Sequence, residues 1–310
     1  MKRHFLSIED LEVPELRALL DDALALKRGS SHADALHGRS LAMIFEKPSL
    51  RTRLSFEMAM VQLGGHAVYL SPAEVGLGRR ESVADVARVV SRYVDFVVLR
   101  TFAHETTEEF ARHSSAPVIN GLSDLSHPCQ GLADTLTICE RKGDPRAVVA
   151  AYVGDGNNVA HSLMLCAAKT GMTLRVATPD GYGPSPRYGE LAATAARETG
   201  ARIELGTDPV AAVRGADVVY TDVWTSMGQE QEYERRRRAF HGYQLNAQLL
   251  AHAKPDAIVL HDLPAHRGEE ITDDVIDGPQ SAVFDQAENR LHVQKALLRW
   301  LCAVNGDGRS

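Results

Sequence analysis

The chain has 310 residues, of which 44% are hydrophobic and 24% are charged. This composition excludes disordered and fibrous proteins, and the length allows two globular domains, each with its own apolar core. The formal net charge of -7 argues against a nucleic-acid-binding protein, which needs a basic surface to displace counterions from phosphates.

The sequence also argues against a membrane protein. No apolar stretch approaches the ~20 residues of a membrane-spanning helix, and residues 1–5 lead into acidic residues rather than into a signal region. We therefore expect a cytoplasmic protein with no membrane partner. The cysteines at positions 129, 139, 166 and 302 lack paired C-x-x-C spacing, which predicts reduced thiols rather than a zinc site or disulfides.

The first half of the chain predicts one long helix followed by alternating strands and helices. Apolar residues at three- and four-residue steps predict a helix from Ser7 to about Leu26. Short apolar runs that end at turn residues then predict strands separated by segments of helix length. These predicted strands are 41–45, 67–70, 96–99 and 117–119.

The same alternation begins again after residues 143–145. The predicted strands of this half are 148–153, 173–177, 202–205, 218–221 and 257–261. Strands separated by helices indicate parallel sheets with right-handed crossovers. The predicted fold class is therefore α/β, with two doubly wound parallel-sheet domains. Because such sheets bind ligands beyond the carboxyl ends of their strands, we expect the active site in the cleft between the domains.

The segment that follows predicted strand 41–45 has the residues of an anion site. It leads into an apolar helical pattern, so its backbone N–H groups and the positive end of the helix dipole favour an anion. Ser49, Arg51, Thr52 and Arg53 add donors for phosphate oxygens. A helix N-cap followed by surface arginines is the alternative, and the local pattern alone leaves both open.

Two further predicted strand ends carry polar donors. Arg100 follows strand 96–99, and His127 and Gln130 follow strand 117–119. Converging arginine, histidine and glutamine side chains can bind a phosphate oxygen and a carbonyl oxygen together. Such donors stabilise the negative charge that develops at an acyl centre.

Residues 152–160 begin the second domain with a partial match to a dinucleotide-binding fingerprint, and Asp180 lies near the ribose-binding distance. However, Val159 takes the position of the last glycine or alanine, and Asn157 and Asn158 replace the small residues of a pyrophosphate turn. This disfavours a nicotinamide cofactor. Paired asparagines favour a small polar ligand.

Two more strand ends are rich in polar groups. Asp222 with Ser226 can hold a cationic amino group, although an Asx turn is the structural alternative. His261 and His266 lie on either side of Pro264, but no third ligand has suitable spacing, so we expect no metal site. The basic run 235–238 has acidic neighbours and is expected to form a solvated helix face.

Over almost its whole length the sequence resembles the ornithine carbamoyltransferases, and its motifs follow the order of that family. Residues 49–53 are similar to the family's S-T-R-T-R loop, and residues 127–130 are similar to its H-P-C-Q motif. The resemblance implies a set of residues that bind carbamoyl phosphate. This set consists of Ser49, Leu50, Arg51, Thr52, Arg100, His127, Gln130, Leu263 and Arg290.

The resemblance also implies the partner substrate and the domain organisation. Asn158, Asp222, Ser226 and Met227 correspond to the family's amino acid-binding residues. A carbamoyl phosphate-binding domain is expected over residues 1–140, joined by a C-terminal helix at 288–310. An amino acid-binding domain is expected over 141–287. The family resemblance further implies a homotrimer.

The implied reaction is direct attack by a neutral amine on the carbonyl carbon of carbamoyl phosphate. A tetrahedral intermediate then expels phosphate, without a cofactor or a metal. The expected acceptor is the side-chain amine of L-ornithine, which gives L-citrulline in arginine metabolism. The residues implied to act in catalysis are Arg51, Arg100, His127, Gln130 and Asp262.

Two positions depart from the family pattern. Leu50 stands where the family has its first threonine, and Asp262 stands where the family's H-C-L-P motif has cysteine. A different amine acceptor, or a weakly active paralogue with a binding role, therefore remains an alternative. The presence of Arg51, Arg100 and His127 argues against the weakly active paralogue.

Overall fold

The computed structural model describes residues 2–30, 33–226 and 228–306. The chain separates into two compact units. Unit 1 contains residues 1–133 and 290–310, and unit 2 contains residues 134–289. Two long helices are divided between the units, and their residues 128–133 and 290–305 belong to unit 1.

Unit 1 is built on a four-stranded sheet in which every described pairing is parallel. Its strands are β1 (Ser40–Phe45), β2 (His66–Leu70), β3 (Phe96–Arg100) and β4 (Val118–Leu122). The order β2-β1-β3-β4 places the change of winding direction between β1 and β3. Ligands of open α/β sheets bind at the carboxyl ends of strands at this point.

Unit 2 is built on a five-stranded parallel sheet. Its strands are β5 (Val149–Val153), β6 (Thr173–Ala177), β7 (Arg202–Gly206), β8 (Val218–Tyr220) and β9 (Ile258–Leu260). The order β7-β6-β5-β8-β9 places the change of winding direction between β5 and β8. The two parallel α/β sheets confirm the predicted fold class.

Helices connect the strands in both units. They are α1 (Val13–Lys27), α2 (Leu50–Gln62), α3 (Pro72–Val75), α4 (Val83–Val90), α5 (His104–His113), α6 (Pro128–Lys142), α7 (Asn158–Thr170), α8 (Pro186–Thr199), α9 (Pro209–Val213), α10 (Tyr233–Ala239), α11 (Ala247–Leu250), α12 (Asp273–Ile276) and α13 (Val283–Asn305). Among the described residues, no helix combines the length and the apolar character that a membrane crossing requires.

The central strands of each sheet form the apolar cores. All of β3 and nearly all of β1 and β5 are buried, whereas the edge strands β2 and β7 are largely exposed or half-buried. Strands covered on both faces read as continuous apolar runs. This explains why the central strands were predictable from the sequence.

The predicted N-terminal helix is wrong in one respect. A 3-10 turn over Ile8–Asp10 ends at Leu11, whose backbone is extended, and α1 begins only at Val13. Pro14 lies in the first turn of α1, where its missing N–H costs no hydrogen bond and its fixed φ suits the helix. The apolar periodicity continued through this break, so periodicity alone did not detect it.

The predicted solvated face of residues 235–238 is also only partly correct. These residues lie on α10, where Arg235, Arg237 and Arg238 are exposed. Arg236 is buried, and its guanidinium forms an ion pair with Asp155 at 2.9 Å. The partner is distant in sequence, so the local charge pattern could not reveal it.

A close backbone approach at Gly156 shapes the loop that follows β5. A Cβ atom there would lie 2.2 Å from the backbone nitrogen of Pro184 and 2.3 Å from the carbonyl carbon of Gly183. The chain itself therefore fills the space that a dinucleotide pyrophosphate would occupy beside such a glycine. This is further evidence against a nicotinamide cofactor.

We expect Gly156→Ala to lower the free energy of unfolding by at least ~2 kcal/mol, because backbone atoms must move to admit the methyl group. Gly189→Ala is the matched control, since its Cβ meets nothing within 4 Å on α8. Removing a helical glycine should raise stability by about 0.5–1 kcal/mol. Urea unfolding of both variants measures these effects. Equal stability of Gly156→Ala and the wild type would contradict the expectation.

Candidate functional site

The segment predicted to bind an anion, which contains Ser49 and Arg51, follows the end of β1. The end of β1 pairs with the end of β3. Ser49 is the N-cap of α2, with extended backbone, and its hydroxyl accepts a hydrogen bond from the Thr52 N–H at 3.3 Å. This cap starts the helix directly after the strand and directs the positive end of its dipole to the sheet edge. Arg100 is the last residue of β3 and is buried.

A buried arginine joins three elements of unit 1. Arg290, on α13, donates from Nη1 to Gln130 Oε1 and from Nη2 to Thr52 Oγ1, each at 2.8 Å. All three residues are at most 3% exposed. Arginine has no acceptor, so these bonds fix the amide oxygen of Gln130 towards Arg290 and leave the Thr52 hydroxyl proton to be donated elsewhere.

His127 lies within a positive field. Burial is the main cause that holds the pKa of this imidazole well below its ordinary value, and Arg290, Arg100 and Arg51 lower that pKa further. The structure therefore places these three arginines close enough for their charges to act on His127. His127 is neutral at physiological pH, so it can act through hydrogen bonds but not through a charge.

The remaining residues of this segment differ in exposure. Arg51 is half-buried, whereas the Leu50 side chain is 77% exposed at the first position of α2. Lys47, which the sequence analysis did not single out, is buried with its ammonium 4.4 Å from the ring centre of Phe102. Burial raises the pKa of the Cys129 thiol to about 12, so this residue of the H-P-C-Q motif stays protonated.

In unit 2, Asn157 holds the carboxylate of Asp222. Asn157 is the N-cap of α7, and its Oδ1 accepts from the N–H groups of Val159 and Ala160 at 2.9 and 3.2 Å. Its Nδ2 therefore faces Asp222 and donates to Oδ2 at 2.7 Å. Asn158 is the first residue of α7 and is half-buried.

Asp222 and Asp262 form a close pair of carboxyl groups. Burial raises the pKa of Asp222 well above its ordinary value, and repulsion by Asp262 and a hydrogen bond with Asp262 raise it further. Asp222 is therefore protonated more readily than an ordinary aspartate.

The segment after β9 fixes the tautomer of His261. His261 Nδ1 accepts from the Leu263 N–H at 2.9 Å, so the ring proton lies on Nε2 and is donated to Glu270 Oε1 at 2.9 Å. Ligand atoms of Asp222, His261 and Asp262 lie within 4.8 Å of one another. Both imidazole nitrogens are already engaged, so His261 has no free lone pair for a metal.

Two other predicted residues belong to the same unit. Leu263 has φ of 59°, a left-handed conformation that costs a residue with a side chain about 1–2 kcal/mol and is frequent at binding sites. Ser226 is half-buried, and its N–H donates to Gln229 Oε1 at 3.2 Å. Met227 lies outside the described residues.

Comparison with known proteins agrees with the geometry of both units. Residues 3–140 match the family model of the aspartate/ornithine carbamoyltransferase carbamoyl-P binding domain, and residues 147–301 match that of the Asp/Orn binding domain. An ornithine carbamoyltransferase from Acidothermus cellulolyticus is 56% identical over 307 residues, which cover 99% of this chain and 98% of that protein.

Solved structures show the same similarity. Ornithine carbamoyltransferase from Pyrococcus furiosus has a TM-score of 0.92 at 54% identity and covers 96% of both chains. A curated relative from that organism, named an anabolic ornithine carbamoyltransferase, is 54% identical over 300 residues, which cover 96% of this chain and 95% of that protein. An acetylornithine transcarbamylase complexed with acetylcitrulline has a TM-score of 0.86 at 35% identity and covers 96% of this chain and 98% of that chain.

We expect the His127 imidazole to titrate well below an ordinary histidine, whose pKa is about 6.5. Because its folded pKa is lowered, its contribution to stability is full above the unfolded value of about 6.5 and decreases as the pH falls below it. NMR titration of labelled histidines, with His127→Gln to assign the signal, measures this. A midpoint near pH 6.5 would contradict the buried, positive environment.

Proposed function

The chain belongs to the aspartate/ornithine carbamoyltransferase family, and we propose that it transfers the carbamoyl group of carbamoyl phosphate to the side-chain amine of L-ornithine. The products are L-citrulline and phosphate. The observation that carries this proposal is the positive field of Arg51, Arg100 and Arg290 around the neutral His127. A phosphate dianion beside a carbonyl group fits this arrangement.

The residues of unit 1 have distinct roles in this proposal. Arg51 and Arg100, with the N-terminus of α2, bind the phosphate and stabilise the charge that it gains as it leaves. The neutral His127 forms a hydrogen bond with the carbonyl oxygen. Gln130 Oε1, which accepts one hydrogen bond from Arg290, has a second lone pair for the carbamoyl N–H groups.

The residues of unit 2 bind the acceptor. Asn158, Ser226 and Met227 are proposed to contact the amino acid head group, as in the family. The carboxyl pair of Asp222 and Asp262 receives the side-chain amine, and the Leu263 carbonyl group contacts the carbamoyl nitrogen. Asn157 fixes Asp222 for this purpose through the 2.7 Å bond to its carboxylate.

The reaction itself requires one bond to form and one to break. The lone pair of the neutral amine attacks the carbonyl carbon, and the tetrahedral intermediate collapses with cleavage of the bond to the phosphate oxygen. Phosphate leaves with that bonding pair. The proton lost by the attacking nitrogen passes to a base in the site or to water.

The test is a panel of acceptors supplied with carbamoyl phosphate. Ornithine, N-acetylornithine, lysine, putrescine and 2,3-diaminopropionate are compared by phosphate release and by identification of the carbamoylated product. We expect the highest kcat/KM with ornithine. A higher value with another amine would replace ornithine as the acceptor, and no transfer to any amine would favour a binding role.

Arg51→Ala should lower kcat/KM by at least ~100-fold, because it removes charge-assisted contacts that strengthen as phosphate departs. Arg53→Ala is the matched control on the same helix. The sequence also named Arg53 as a candidate phosphate donor, but its exposed guanidinium lies 4.2 Å from the ring centre of Tyr69 and near Glu57. We therefore expect less than ~5-fold loss from its removal. Similar losses in both variants would contradict the assignment of Arg51.

Asp262→Cys should shift the acidic limb of the pH dependence of kcat with ornithine to lower pH. The carboxylate favours the ammonium form of the acceptor, and only the neutral amine attacks. Leu50→Thr and the double variant complete a mutant cycle, which measures whether the two departures act together. If none of the three variants changes the pH profile, turnover or acceptor preference by more than a few-fold, neither departure affects the reaction.

We also propose that the protein is a cytoplasmic homotrimer and that it acts in arginine biosynthesis. The name of the anabolic relative supports this pathway. Exposed apolar side chains on one face of α2 and on the edge strand β2 support self-association. They are Leu50, Leu54, Val61 and Val68. Light scattering should give three times the chain mass of 33.8 kDa. A monomeric mass at micromolar concentration would contradict the trimer.

A further inference from the structure

We propose that Arg236 is a positioning residue for the amino acid acceptor, because its buried guanidinium ties residues 222–226 to the segment that follows β5. This inference rests on the proposed function for the identity of the acceptor. Arg236 acts through the backbone that carries Asp222 and Ser226.

The side chain of Arg236 makes three charge-assisted contacts. Its Nη1 donates to Asp155 Oδ2 at 2.9 Å and to the backbone oxygen of Trp224 at 3.0 Å. Its Nε donates to Glu232 Oε2 at 3.0 Å. The bond to Glu232 stays within one helical turn, whereas the other two join separate parts of unit 2.

Aromatic packing adds a third loop to this junction. The Arg236 guanidinium lies 5.1 Å from the ring centre of Tyr182, whose backbone oxygen accepts from the Gly156 N–H at 2.9 Å. Trp224 stacks on Phe240 with ring centres 5.7 Å apart. One guanidinium therefore links the loop after β8, the loop after β6 and the segment after β5.

This junction lies next to the residues proposed to hold the acceptor. Trp224 lies between Asp222 and Ser226 in the chain, so the bond to its carbonyl group fixes the path of the loop that carries both. Asp155 lies two residues before Asn157, which holds Asp222 at 2.7 Å. Loss of Arg236 would leave Asp155 buried without its ion-pair partner, and the loop would lose a fixed point.

The ion pair should also respond to pH. Burial raises the pKa of Asp155 to about 6, although Arg236 opposes this change. Asp222 and Glu232 face Asp155 and raise its pKa further, and Tyr152 donates from its hydroxyl to the Asp155 backbone oxygen. As the pH falls through about 6, Asp155 loses its charge and holds Arg236 less strongly.

This effect differs in sign from acid unfolding. Because the folded pKa of Asp155 lies above its ordinary value of 3.8, protonation of this group raises stability as the pH falls from about 6 to about 4. A loss of acceptor affinity in this window therefore does not come from unfolding driven by Asp155.

The first experiment compares Arg236→Gln with Arg237→Gln, an exposed neighbour on α10. At pH 7.5 we expect Arg236→Gln to raise the KM for ornithine at least ~10-fold and to change the KM for carbamoyl phosphate less than ~3-fold. Arg237→Gln should change neither by more than ~2-fold. Equal changes in both KM values, or an unchanged KM for ornithine, would overturn the inference.

The second experiment requires no turnover. Hydrogen exchange of the backbone amides in residues 222–232 should be faster in Arg236→Gln than in the wild type and in Arg237→Gln. Unchanged exchange would overturn the inference, whereas a wild type that fails to carbamoylate ornithine would overturn only the proposed function. If Arg236→Gln does not fold, Arg236→Lys decides through the same measurements, since it keeps the charge but replaces two donor nitrogens, Nη1 and Nε, with one.

The third experiment uses Asp155→Asn, which keeps a hydrogen-bond acceptor but cannot change its charge. The ratio of its KM for ornithine to that of the wild type should decrease as the pH falls from 7.5 to about 5.5, because only the wild type loses the ion pair in this range. A constant ratio would show that Asp155 does not set the pH response and would overturn this part of the inference.

Discussion

The polar residues of unit 1 around His127 depend on the burial of Arg290 between two neutral partners. A buried guanidinium is costly unless its donors are satisfied, and here Gln130 and Thr52 accept from it without neutralising its charge. The charge therefore acts on its surroundings. It helps keep His127 neutral, and it favours a bound dianion together with Arg51 and Arg100.

Unit 2 has a negative field near the ends of β5 and β8, between which its winding direction changes. Asp155, Asp222 and Asp262 are close enough for their charges to raise one another's proton affinity or that of nearby tyrosines. Such a field attracts a cationic amino group, but only a neutral amine attacks a carbonyl carbon. The raised pKa of Asp222 reduces the negative charge of this field and limits this conflict.

The sequence predicted the parts of the fold that depend on local patterns. The central strands were evident because they are buried on both faces. Arg51, Arg100 and His127 could be named as candidates because they follow strand ends. The contact between Asn157 and Asp222 could not be predicted, since it depends on Asn157 being the N-cap of α7. The burial of Arg236 was missed because its partner Asp155 lies 81 positions away in the chain.

The most direct test follows the carbamoyl carbon itself. Carbamoyl phosphate labelled with carbon-13 is incubated with ornithine and the full chain, and the label is followed by NMR beside an enzyme-free control. We expect the label in the ureido carbon of citrulline, with one phosphate released for each citrulline formed. Label found only in the products of spontaneous decomposition, at the rate of the control, would contradict carbamoyl transfer to ornithine.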